Sequence, residues 1–320
     1  MLNRIVKSLA ILFTVYWIAF IFLDYWTWHP DVRKAITLFE FGRPVALLLL
    51  LGGGLGWLFL RRKEFRARCN GLGIALLGLI IMLILLNAFF DINLNDPLSV
   101  SENIVFVGTM LRSVIPVYLV LMACYVLGSA IMHVTSVRMP RGDVDLVKTG
   151  LGIMVVVLVL FLLGAAGLLQ SVLLFPLLAG VLIIGWRYAW QFVETTLWRP
   201  IGMDNKFNAI GFGVFFVLLS LVAMNLVQVV RPVPLGYDAI TLYVNLASLI
   251  NDYGGLVQGN QPYNWSLFIS LGYVLFGKTE TVLTLSFMGT LLSLFALYRL
   301  SRKWLNVNYA LLIVLLFYTM

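Results

Sequence analysis

Apolar runs of roughly 20 residues, the length that crosses a hydrocarbon core about 30 Å thick as a helix, follow one another through this chain with charged loops between them. With 62% hydrophobic and 11% charged residues it lies outside the range of soluble globular chains. The expected fold class is all-α, a polytopic integral membrane helix bundle of about nine transmembrane helices. A net charge of +8 would suggest nucleic acid in a soluble protein. Here the basic residues sit in short loops and act as topology signals, so membrane lipids and not nucleic acid are the expected surroundings. Cys69 follows a basic loop and Cys124 lies in an apolar run, which does not make a disulfide pair. Neither His29 nor His133 has metal-ligand spacing around it, so no metal site is expected from them.

In chain order, Ser8 to Leu23 reads as an uncleaved first span, because no small-residue cleavage site follows it. The loop from Asp24 to Arg43 is expected at the interface, and a second span from Pro44 to Leu60 precedes the basic cluster RRKEFRAR. Further spans are expected at Asn70 to Phe90, Ser113 to Met132, Thr149 to Leu169, Ser171 to Trp186 and Asn208 to Val230. The two that meet near Gln170 are joined so tightly that they form an antiparallel hairpin, and RYAWQFVETTLWRPIGMDNK reads as an interfacial helix. A cytoplasmic N-terminus places Arg61, Arg62, Lys63, Arg138, Arg141, Lys148, Arg187 and Arg199 inside, as the positive-inside rule requires.

The long polar interruption from Arg231 to Asn264 then falls outside. Pro232, Pro234 and Gly236 stop the preceding span. After Asp238 the apolar residues Ile240, Tyr243, Val244, Ala247, Ile250 and Tyr253 recur at helical spacing until Gly254 and Gly255, which predicts an amphipathic helix on the membrane surface. Asp238 is the best candidate for a reacting group and is equally well placed as that helix's N-cap, and the two roles coexist. Trp265 to Phe276, at about 18 Å as a helix, is too short to cross alone. It is expected to dip into the outer leaflet and return, leaving an eighth span at Thr281 to Tyr298 and Arg299, Arg302 and Lys303 inside. The run from Tyr309 ends at Met320 before it is long enough to cross, so the sequence is expected to be the front part of a longer one.

From about Asn208 onward the chain resembles the membrane glycosyltransferases of the GT-C fold, the class of protein mannosyltransferases and lipid A aminoarabinose transferases. The resemblance rests on GYDAITLY, which looks like the class's loop opening, and on QPYNWSLFISLGYVLFGKTE, a proline-aromatic step, short apolar helix, FG turn and glutamate. It divides the chain into a membrane region over 1–207, a scaffold or acceptor-lipid platform, and the start of a glycosyltransferase core over 208–320. It implies a bacterial plasma-membrane enzyme that moves a sugar from a polyprenyl-phosphate donor to an acceptor outside, inverting, with Asp238 as general base. Many members have a second acid beside the loop aspartate where this chain has Ala239, so a divalent metal stays open and no cofactor is implied. The arginine and proline often found after the FG turn are replaced by residues such as Thr284 and Ser286.

A phosphate leaves without protonation, so one base suffices where glycoside hydrolysis needs two carboxylates. The departing anion needs positive charge, for which Arg231 and Lys278 are candidates, each equally an interfacial anchor. Tyr237, Tyr243 and Tyr263 are candidates for stacking on a sugar, and Glu280 and Asp252 are external acids, although interfacial aromatics and solvated acids occur without any ligand. Asn264-Trp265-Ser266 matches a glycosylation sequon. The competing reading is a transporter or flippase for lipid-linked sugars, or a non-catalytic subunit. It would place ionisable groups or broken helices at the bilayer midplane.

Overall fold

A computed structural model describes residues 70–94, 98–136, 141–199, 209–230, 244–257 and 263–319, together with Leu12, Phe13, Tyr16 and Phe20. Every regular element among them is a helix, as the apolar runs require. Three helices are long and apolar enough to cross a membrane: α2 (Val100–Thr135), α3 (Arg141–Ala165, apolar from Asp143) and α10 (Thr279–Ser301). A fourth crossing is available if α4 (Ser171–Ile184) and the segment Trp186–Trp198, bent by 82° at Gly185, count as one. Shorter apolar stretches lie in α1 (Gly71–Leu94), α6 (Ala209–Val229) and α11 (Val307–Thr319). The first two expected spans and RRKEFRAR lie outside the described residues apart from the four isolated ones.

Two helices are longer than their apolar runs. α2 begins at Val100 because Ser99 and Glu102 form a capping box: the Glu102 N–H donates to Ser99 Oγ at 3.3 Å, and the Ser99 N–H donates to Glu102 Oε2 at 2.8 Å. Part of what reads as an acidic loop is therefore helix, and the 36 residues of α2 make a rod about 54 Å long. α3 likewise starts at Arg141 and takes in most of RGDVDLVK. α2 and α3 share the most extensive packing in the molecule, and glycine sets their spacing. A Cβ on Gly152 would lie 1.6 Å from the Cys124 carbonyl oxygen, and one on Gly128 1.8 Å from that of Lys148. Backbones approach this closely in membranes where small residues line the interface.

The expected tight connection is present, as α3 ends at Ala165 and α4 starts at Ser171 with Gly167 at φ 68° in the turn, but α4 packs on α2 and on the helix Leu271–Phe276 and not along α3. The segment expected to follow as a helix is one, α5 (Trp186–Val193) continued by a π-helical turn over Glu194–Trp198. Ala189 and Phe192 are buried while Trp186, Trp190 and Trp198 stay exposed, the arrangement of a helix lying along an apolar-polar boundary. Phe192 fits between Tyr118 and Tyr125, its ring centroid 5.1 and 5.2 Å from theirs.

The bundle has two distinguishable ends. At one, Asp143 in the first turn of α3 accepts from Arg299 Nε at 3.1 Å and lies 3.5 Å from Lys303 Nζ, pairing an acid at a helix start with a base at a helix end. At the other is the α3–α4 turn. Arg299 and Lys303 therefore share an end with the Arg141–Lys148 segment, which is the relative sidedness the charge pattern predicts. A cysteine at exposed Trp304 and one at Lys278 are expected to react with an impermeant thiol reagent from opposite faces of the membrane. Labelling of both from one face would contradict this arrangement.

Candidate functional site

The second half of the polar interruption folds at the α3–α4 turn end. α7 (Asn245–Tyr253) buries Leu246, Ala247 and Ile250, the last two completely, and leaves Asn245 and Asp252 exposed. Of the predicted apolar face, Val244, Ala247 and Ile250 are buried as expected, while Tyr253 is 73% exposed. The chain leaves the helix there through Gly254 at φ 60°, so Tyr253 points away from the packed face. The following strap is bonded to the hairpin turn: Leu169 N–H donates to the Gly254 carbonyl at 2.9 Å, and Leu256 N–H to that of Gly164 at 3.1 Å.

The short run predicted not to cross forms α8 (Tyr263–Ile269) and α9 (Leu271–Phe276), interrupted at Ser270, whose hydroxyl donates to the Leu267 carbonyl at 2.7 Å. Leu267, Phe268, Ile269, Leu271 and Val274 are buried in the same core cluster as α7 and the middle of α2. The pair packs antiparallel to α10. A Cβ on Gly272 would be 2.5 Å from the Val282 nitrogen, and one on Gly289 would be 2.3 Å from the Trp265 ring, so a step of seven residues back matches seven forward. Trp265 Nε1 donates to Ser286 Oγ at 3.4 Å in the same register. Phe276 meets Phe175, one turn into α4, at 6.4 Å between centroids. Val257 and Gly277 thus both lie at the α3–α4 turn end. Below α9, an aliphatic crevice of about 110 Å³ is walled by α2, α3, α4 and α9, with Val120, Val156, Leu174, Leu178, Leu271 and Leu275 among its lining.

Gly277, at φ 62°, turns the chain into extended Lys278, and α10 starts with Glu280 in its first turn. Both side chains are half-buried, and neither has an ion-pair partner among the described residues. Tyr273 and Thr279 hydroxyls, 3.0 Å apart, brace the turn. Arg231, Tyr237, Asp238 and Tyr243 lie outside the described residues, as does the side chain of Tyr263, whose backbone opens α8. The structure therefore places Lys278 and Glu280 at the same end of the bundle as α7, which packs on α9. Asp252 is exposed and accepts from its neighbour Asn251 Nδ2 at 3.2 Å, as a solvated acid does. The sequon is not usable in this fold, since Ser266 is 1% exposed within α8.

A second polar group was not legible in the sequence. Tyr125, fully buried in α2, donates from its hydroxyl to Asp145 Oδ1 at 2.7 Å and accepts from Lys148 Nζ at 3.0 Å, with the ammonium 4.8 Å from the ring centroid. Lys148 reads as a topology charge and Tyr125 as part of an apolar run. Only the close approach of α2 and α3 unites them. Among the described residues no cluster of three His, Cys, Asp or Glu side chains is placed to hold a metal ion. No protein-family model, curated protein or solved structure matches the chain.

Proposed function

We propose that residues 208–320 belong to a membrane glycosyltransferase core that takes a sugar from a polyprenyl-phosphate donor. What carries this reading is the α7–α9 unit, folded at one end of the bundle beside two charged side chains, Lys278 and Glu280, without ion-pair partners among the described residues. In the reaction the Asp238 carboxylate takes the acceptor's proton as the acceptor oxygen bonds to the anomeric carbon from the face opposite the phosphate. The bond from that carbon to the phosphate oxygen breaks, and the electron pair leaves with the phosphate. Lys278 and Arg231 offset the charge on the departing anion, where partial burial strengthens the interaction over that in bulk water. Tyr237, Tyr243 and Tyr263 are available to stack on the sugar.

A transporter or flippase for lipid-linked sugars is the second reading. The 82° bend at Gly185 between α4 and the segment Trp186–Trp198 supports it, because broken helices mark substrate sites in transporters. The two separate in one assay: full-length protein in vesicles with a lipid-linked radiolabelled sugar and a mixed acceptor fraction. Covalent product supports transfer, whereas movement of intact donor between leaflets without product supports the second reading. Within the first, Arg231→Gln with Lys278→Gln is expected to raise the donor KM about 10-fold or more, consistent with one lost charge-assisted bond of roughly 1.5–3 kcal/mol. The rise should shrink as salt increases. An unchanged KM in the double variant would return both residues to interfacial anchors.

A further inference from the structure

We draw no further inference here: the strongest candidate, the aliphatic crevice of about 110 Å³ between α2, α3, α4 and α9, carries nothing because the structure does not show what covers it.

Discussion

Asp238→Asn is expected to lower sugar transfer by about 10²- to 10⁴-fold while leaving the protein inserted and folded, the contribution typical of a positioned general base. Asparagine keeps the size of the side chain and still offers an oxygen to a helix start, so it separates the chemical role from the capping role. Asp238→Ala removes both and should cost about 1 kcal/mol of local stability in addition. The measurement is single-turnover transfer from a lipid-linked donor by full-length protein, with thermal unfolding followed in parallel. Transfer by the asparagine variant at the parental rate would leave Asp238 a cap and remove the general base from the proposed mechanism.

The second large effect belongs to the scaffold. At the α2–α3 crossing a Cβ on Gly152 would penetrate the Cys124 carbonyl, 1.6 Å away, and the obstacle is backbone that no rotamer change can move. Gly152→Val is expected to destabilise the bundle by about 3 kcal/mol or more, at the upper end of what overpacked cores lose. Gly150, whose added Cβ meets nothing within 4 Å, is the control on the same helix. Gly150→Val should leave the unfolding temperature nearly unchanged or raise it slightly, since valine is the better helix former of the two. Equal losses at the two positions would mean that the crossing is not the constraint.

Length and period were the most legible properties. A dozen apolar residues cannot cross a bilayer, and Trp265 to Phe276 accordingly forms two short helices that pack along only the first half of α10. The 3.6-residue repeat picked out Val244, Ala247 and Ile250 correctly and failed at Tyr253, where the left-handed Gly254 redirects the chain. The boundary of α2 was available in Ser99-x-x-Glu102, a capping box inside what composition alone marks as a loop. The Tyr125–Asp145–Lys148 group was not available. Its members are 20 and 23 residues apart, and nothing in either segment announces that glycines let the two backbones touch.

The bond between Asp143 and Arg299 joins residues 156 positions apart, and that separation has a consequence in time. At synthesis rates of 5–20 residues per second, roughly 8–30 s pass between the emergence of the two. During that interval α3 is inserted while its acid has neither Arg299 nor Lys303 to meet. The main core cluster waits similarly, since it takes residues from Val117 to Leu285. The early helices must therefore hold their places through contacts among themselves, chiefly the α2–α3 glycine crossing, and the late arrival of α10 closes the core and pairs the charge in a single event.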